Sequence, residues 1–511
     1  MCGHIGELHC LFRRLYSVYW TIMKNFKFSS LLLVPLLAVL AACGGGGGGD
    51  NNNSGGGSTT TPTLRSIALT APAAQSTTII INSTLPVTAT GTYSDGSTKV
   101  MTGLTWTTKS GTATIAQVAS TGIVTAKGAG TETITATSSA DNIAGTLNIT
   151  VVTPWVQFAA GGNQTIGLKA DGKLYSWGSN IRGQLGDGTS FDRNVPTVVS
   201  GNSSAWKQVA VGDRFAVAIR TDGTLWAWGY NLFGQLGDGT QIDRLVPVQV
   251  GTAKNWSNVA AGKAHVVALQ TTTTGTTTSS TMWVWGSNAN GQLGITGTAT
   301  DGFRPRQVGT ATDNWLTIAA GDAHTLAIKG DQTLWAWGDN TNGQLGNGSS
   351  AGGNVTAPVQ IGTALWSYVA AGGEHSLAIR NAGTLWGWGK NESGQVGNGS
   401  TSTQTAPAQI GAATDWARVA GGVAHSVGVR NNGTLWAWGS NNEGQLSNST
   451  NDTQVPAQVG NLNVWKYVAA GAYHSAAQRA DSSLWTWGRN TEGQLGNGGN
   501  TTSSVQLNIP Y

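Results

Sequence analysis

Charge is what this chain lacks most. Acidic and basic side chains make up 10% of its 511 residues, against about a quarter in an ordinary soluble domain. What charge there is nearly cancels. The formal net value is +4, but residues 1–42 hold Arg13, Arg14, Lys24 and Lys27 against Glu7 alone, which leaves 24 basic and 23 acidic residues in the remainder. Binding to nucleic acid draws on clustered cations that displace counterions from phosphates, so no nucleic-acid partner is expected. Cysteine is as scarce: there are three, and Cys2 and Cys10 both lie in the N-terminal stretch. Neither a disulfide framework nor a thiolate zinc site is open to the rest. The apolar run near the N-terminus falls short of the roughly 20 residues that a membrane-spanning helix needs. With 39% hydrophobic residues, the chain can still fill a core despite its low charge.

From Met23 the order is Lys24, Lys27, an apolar run from Leu31 to Leu40, then Leu40-Ala41-Ala42-Cys43. A basic lead, a short apolar segment and small residues at a cleavage point mark an export signal. Leu-Ala-Ala-Cys resembles the lipobox of bacterial lipoproteins. That resemblance implies cleavage between Ala42 and Cys43 and acylation of Cys43, and two or more acyl chains make a stable anchor. Gly44 follows the cysteine in place of the Asp associated with inner-membrane retention, so an outer-membrane lipoprotein of the bacterial cell envelope is expected, facing the periplasm or the cell surface. A plain signal peptide ending at a free cysteine is the alternative. Residues 1–22 read as an over-long gene start and 23–42 as the signal. Residues 43–63, with six glycines and then an Asn, Gly, Ser and Thr run, read as a flexible tether.

Residues 64–152 are rich in Thr, Ala, Val and Ile, with short alternating runs such as Ile123-Val124-Thr125-Ala126 and turn signals such as Asp95-Gly96. The spacing predicts a β-sandwich of about seven short strands with Trp106 in its core. Leu104-Thr105-Trp106, Thr114-Ile115-Ala116, Gly122 to Ala126 and Thr133 to Thr137 resemble the group 2 bacterial immunoglobulin-like domain. A spacer or adhesive module is implied.

Tryptophan is what the chain has in excess. Trp-Gly recurs at Trp177, Trp228, Trp285, Trp337, Trp388, Trp438 and Trp487, at intervals of 49 to 57 residues. A second Trp stands two positions earlier in six units, with Tyr175 in the first, and a third set opens each unit from Trp155 to Trp465. Together these account for 20 of the 22 tryptophans. Within the unit that starts at Trp366, breaks at Gly372-Gly373, at Asn381-Ala382-Gly383 and across Gly389–Gly397 separate four strand-like runs. Four short strands in about 50 residues make one propeller blade, and the indoles would fill the wedges between blades. Trp-Gly-x-Asn-x-x-Gly-Gln-Leu-Gly stands complete in five units; Val396 replaces Leu in the fifth, and Ser447 replaces the last Gly in the sixth. This motif resembles the regulator of chromosome condensation family, which implies that residues 155–511 form a seven-bladed β-propeller. The expected fold is all-β, a propeller preceded by an immunoglobulin-like sandwich. How the ring closes is left open, because Ser504-Val505-Gln506-Leu507 departs from the Pro-led outer strands of other units.

Five histidines, His265, His324, His375, His425 and His474, share one repeat position, where units one and two have Gln164 and Phe215. Equivalent positions on different blades diverge, so a structural hydrogen-bonding role is expected and a metal site is not. Asp187, Asp238, Asn347, Asn398 and Asn497 sit between glycines and read as turn residues, since single carboxylates cannot supply a calcium loop. Unit three carries a Thr/Ser/Gly insertion from Gln270 to Thr281. It reads as a tolerated flexible insertion, with an added functional loop as the alternative.

No nucleophile elbow, phosphate loop or paired acidic motif stands out. A non-enzyme with no cofactor and no metal is expected: a lipid-anchored surface protein that binds an extracellular protein or glycan. Family resemblance implies protein–protein binding. Nucleotide exchange on a small GTPase is disfavoured by the export signal, and the Gly-Trp-Arg-His-Thr step of light-sensing members is replaced by Gly262-Lys263-Ala264-His265-Val266 and Gly372-Gly373-Glu374-His375-Ser376. A structural envelope component is one alternative. Another is a polysaccharide-acting enzyme, which paired carboxylates near the axis, at least one with a raised pKa, would favour. An exposed apolar patch would favour binding.

Overall fold

Alternation of buried and open side chains already shows along single strands of residues 64–152. In Gly130–Ser138, Glu132, Ile134, Ala136 and Ser138 turn inward, the period of two that a pleated strand imposes. The structure, a computed structural model, describes residues 61–73, 75–201, 205–295, 301–310, 313–349, 353–447 and 451–509. The export signal, the Ala42–Cys43 cleavage point and most of the tether lie outside them. Among the described residues, 64–152 form ten strands in three sheets around one apolar core that includes Leu85, Val124, Ile134 and Val151. The sequence predicts about seven. Four of the ten are three-residue pieces such as Thr84–Pro86 and Ala116–Val118, too short to show a period. Trp106 is half-buried against this core.

From Trp155 the chain repeats one meander seven times. In the sixth unit the strands are Trp416–Gly421, His425–Arg430, Leu435–Gly439 and Thr453–Gln458, all antiparallel and paired in chain order. Trp416 opposes Arg430, His425 opposes Gly439, and Trp436 opposes Gln458. Every first strand carries an irregularity just after its Trp, as between Trp416 and Arg418. Blades four and five are joined by one strand, Val355–Ala371. Its first half is the outer edge of blade four and its second half the innermost strand of blade five.

Closure uses no exchanged strand. Blade one takes all four strands from Trp155 to Val198 and blade seven from Trp465 to Ile509. They meet through Ala472 N donating to Gly162 O (2.8 Å) and Gly498 N to Asn194 O (2.8 Å), and through Trp155 and Trp177 packed with Ala476, Leu484 and Ile509. The opening tryptophans, from Trp155 to Trp465, are buried, and the two sets on the third strands differ. Those from Trp177 to Trp487 are fully buried, as the wedge role requires. The set from Trp226 to Trp485 stays half-buried, and five of its six, Trp226, Trp335, Trp386, Trp436 and Trp485, lie under a cation: Arg380 lies 3.6 Å from the Trp386 ring and 4.9 Å from Trp366, a contact that stabilises by about 0.5–2 kcal/mol.

The unit-three insertion is a regular hairpin and not a flexible loop. His265–Thr274 pairs with Thr277–Ser287 as far as Thr274 opposite Thr277. β-Branched threonines favour the pleated form and pair across strands, as Thr271 Oγ1 does with Ser280 Oγ at 2.9 Å.

Candidate functional site

The repeat residues first have to be accounted for as structure. Each His stands where the second strand begins, its ring against the next blade. His265 Nε2 meets Thr325 Oγ1 (3.1 Å), His324 meets Ser376 (2.9 Å), His375 meets Ser426 (2.9 Å), His425 meets Ser475 (3.0 Å), and His474 meets Thr165 across the closure (2.8 Å). The hydroxyls donate in turn to Gln carbonyls, as Ser376 does to Gln344 O (2.7 Å). That carbonyl also accepts from Trp388 Nε1 (2.9 Å). All five rings are fully buried and their Nδ1 atoms have no hydrogen-bond partner. Burial pushes His265, His375 and His474 down to about 4, and His324 and His425 to about 3. These are neutral structural clamps. Among the described residues no group of three metal-ligating side chains occurs.

The Trp-Gly-x-Asn-x-x-Gly-Gln-Leu-Gly loop satisfies itself. In blade five Asn391 Oδ1 accepts from Val396 N (2.9 Å), while Nδ2 donates to Asn398 Oδ1, Ser400 O and Ser402 O. Gln395 Oε1 accepts from Ser393 N (3.0 Å). Gly389 turns the chain into this loop at φ 101°, a region closed to β-carbon-bearing residues. The candidate calcium positions are turn residues: Asp187 takes hydrogen bonds from Thr189 and Asn180 and an ion pair from Arg193 (2.7 Å).

Among the described residues, the face that carries these loops departs from the repeat at two places considered as sites. The first lies on blades one and two. Ile181, Phe191, Leu232 and Ile242 are 50–71% exposed, and Phe233 beside them is 37% exposed. Blade seven has Thr491, Glu492 and Thr501 at the matching steps. The match is geometric: Asn180 donates to Phe191 O as Asn490 does to Thr501 O. Arg182 joins the two blades, 5.1 Å from the Tyr230 ring and 3.5 Å from Asp243. Tyr230 meets Phe233 edge-on at 6.2 Å. Sequence reading missed this patch, although comparison of one loop position across the seven units would have shown it.

The second place is the axis. Turns between first and second strands of all seven blades line a hollow of about 400 Å³. Asp213, Arg214, Lys263 and Asp322 reach it from blades two to four; Val423, Ala472 and Tyr473 line it from blades six and seven. Burial pushes the Asp322 carboxyl up; Lys263 opposes this, while Asp213 and Glu374 add to it.

A closed ring of seven four-stranded blades with one broken-symmetry face defines a repeat β-propeller. Its sequence matches the RCC1-like domain over residues 270–510 and the regulator of chromosome condensation (RCC1) repeat over 171–219 and 222–269. A second profile of that repeat matches 155–184 and 206–235. The chain belongs to the regulator of chromosome condensation repeat family. It is 31% identical over 263 residues to the ultraviolet-B receptor UVR8 of Arabidopsis thaliana, covering 50% of this chain and 58% of that one. It is 31% identical over 260 residues to the E3 ubiquitin-protein ligase HERC2 of Homo sapiens, covering 49% of this chain and 5% of that one. It thus spans less than two thirds of the length of either relative. Among solved structures, human WBSCR16 aligns with TM-score 0.58 at 21% identity, over 66% of this chain and 94% of that one. Saccharomyces cerevisiae Prp20p, described with its binding properties to Gsp1p and histones, aligns with TM-score 0.54 at 26% identity, over 64% of this chain and 84% of that one.

Proposed function

We propose that this protein is an exported, lipid-anchored scaffold whose propeller binds a protein through the loop face of blades one and two, with the module of residues 64–152 as an immunoglobulin-like spacer. One observation carries the reading: apolar side chains stand exposed at loop positions that are polar in blades five and seven. Water-facing apolar groups gathered on two neighbouring blades mark an interaction surface. The histone- and Gsp1p-binding relative supports a protein as partner.

The test is capture from extracellular proteins and a glycan panel on the full chain. A variant carries the blade-seven residues: Ile181→Thr, Phe191→Thr, Leu232→Thr, Phe233→Glu and Ile242→Thr. A protein retained by the wild type and lost from this variant, but kept by a control altered at Glu392 and Thr491, supports the reading. Capture unaffected by the five substitutions, or of glycan alone, overturns it. For the anchor, palmitate incorporation is expected to vanish in Cys43→Ala, and unchanged labelling removes it.

A polysaccharide-acting enzyme is the second reading, favoured by the raised Asp322 near Asp213 and Glu374. Against it, each carboxylate faces a cation: Arg214 at 3.5 Å, Lys263 at 3.9 Å and Lys390 at 2.9 Å. Release of reducing sugar from envelope polysaccharide, abolished in Asp322→Asn, would reinstate it.

A further inference from the structure

We propose that the axial hollow is a binding site for a small zwitterion, a molecule carrying both an ammonium and a carboxylate, such as a free amino acid or a dipeptide. The inference does not rest on the partner-binding face.

The fold does not ask for charge here. At the rim position of Asp213, Lys263 and Asp322, the other four blades carry Gly373, Val423, Ala472 and Gly162, and their turns interlock by backbone alone. Asp322 N donates to Gly373 O, Gly373 N to Gly422 O, Val423 N to Ala472 O and Ala472 N to Gly162 O. In a chain with 10% charged residues, two cations and two anions on three consecutive turns are a departure that packing does not explain.

Signs and distances indicate what the hollow takes. Two positive and two negative groups cancel, and Glu374, which also acts on Asp322, is itself held by Lys390 at 2.9 Å, so a simple anion or cation is attracted by one half and repelled by the other. A molecule bearing both charges satisfies both. The resident pairs are open: Asp213 to Arg214 is 3.5 Å and Lys263 to Asp322 is 3.9 Å, with these four side chains 37–61% exposed. A made charge-assisted hydrogen bond closes to about 2.7–2.9 Å, as Lys390 does on Glu374 at 2.9 Å. Arg214 and Lys263 are therefore available to a carboxylate, and Asp213 and Asp322 to an ammonium. Its position inside the ring disfavours the charged form of the Asp322 carboxyl, and an ammonium placed there would offset that. Asn163 lines the same hollow, with a buried Oδ1 that has no hydrogen-bond partner. Val423, Ala472 and Tyr473 line the hollow from blades six and seven, away from these charges. A volume of about 400 Å³ falls within the roughly 300–1,000 Å³ of small-molecule pockets.

The test is calorimetric titration of the full chain with L-leucine and with glycyl-L-leucine, alongside N-acetyl-L-leucine and L-leucinamide, which each keep one charge. Saturable binding of at least one zwitterion is expected, with both blocked forms at least about tenfold weaker. Lys263→Met and Asp322→Asn are each expected to weaken binding about tenfold with an unchanged unfolding midpoint. No saturable binding of either zwitterion, equal binding of a blocked form, or wild-type affinity in both variants overturns the proposal. The blocked forms probe the unaltered chain, so a variant that fails to fold does not shield it. The five-residue variant of blades one and two is expected to bind the zwitterion normally, which separates failure here from failure there.

Discussion

His324 of blade four donates its Nε2 hydrogen to Ser376 Oγ of blade five across 2.9 Å, and Ser376 gives its own hydrogen to Gln344 O of blade four across 2.7 Å. The direction follows from accounting. A hydroxyl has one hydrogen, Ser376 spends it on the carbonyl, and so the ring must be the donor. Five of the seven blade junctions are stitched by a relay that starts and ends on the earlier blade. Where the His is missing, its partner is missing too: Gln164 precedes Ala216 on the next blade, and Phe215 precedes Val266.

That pairing predicts an exchange. His324→Phe alone leaves the Ser376 hydroxyl facing a ring and is expected to cost about 1–3 kcal/mol, the range for a buried hydrogen bond broken on one side. Adding Ser376→Val reproduces the Phe215–Val266 pair and is expected to recover a good part of the loss. Urea unfolding of the two single variants and the double reads the coupling. Strictly additive effects would mean that the two side chains stabilise independently.

Acid should unfold the propeller earlier than its carboxylates alone require. The five rings are held at about 3–4 by burial, against an ordinary value of 6.5. The unfolded chain takes up these protons as pH falls through about 6.5, while the folded chain refuses them until about 4 to 3. Stability is therefore complete above 6.5 and is lost as pH falls below it. Asp187 and Asp238 lie below their ordinary 3.8 and act only at the acid end. Unfolding midpoints measured from neutral pH to about 4 should fall steadily, and His375→Gln should make the decline shallower. A flat profile over that interval would contradict neutral burial of the rings.

Blade number and strand order were legible because one unit cannot bury both faces and its Trp, Gly and Asn positions recur seven times. The clamp was half legible. The recurrence of His showed a shared role, but its partner, the Ser or Thr one residue past the equivalent position in the next unit, emerges only when neighbouring units are compared. Closure was not legible at all, since Thr165 and His474 are 309 residues apart and nothing local links them. The insertion misled because Thr and Ser are common in loops, while their β-branching and cross-strand hydroxyl bonds made a hairpin. The axial charges went unnoticed because Asp213, Lys263 and Asp322 are isolated in sequence and meet only in the ring.

Asn391 is expected to be among the most sensitive polar positions. It is fully buried and its amide holds Val396 N, Asn398 Oδ1, Ser400 O and Ser402 O. Asn391→Ala strands a buried donor and several acceptors at once, for a loss of about 3 kcal/mol. Asn391→Asp keeps the acceptor but loses the donors and is expected to fall between. Chemical denaturation of both checks the order. If Asn391→Ala costs no more than an exposed loop substitution, the loop is not held by this side chain.

The apolar patch yields the opposite expectation. Ile181, Phe191, Leu232 and Ile242 point mostly at water, so replacing them, together with Phe233, by Thr491-, Thr501- and Glu492-like residues removes little buried area. Each exposed apolar group forfeits next to nothing on folding, since stabilisation follows area withdrawn from water at about 25 cal/mol per Å². Phe233 is the exception, because its edge-on contact with Tyr230 is worth about 0.5–1.5 kcal/mol. The five-residue variant is therefore expected to unfold within about 2 kcal/mol of the wild type while losing its captured protein. A much larger fall would show that the patch is packed in the native molecule, and its loss of binding would then report damage to the fold. Restoring Phe233 alone in that variant separates the cases: stability should return while binding stays lost, because the remaining four positions carry the exposed surface.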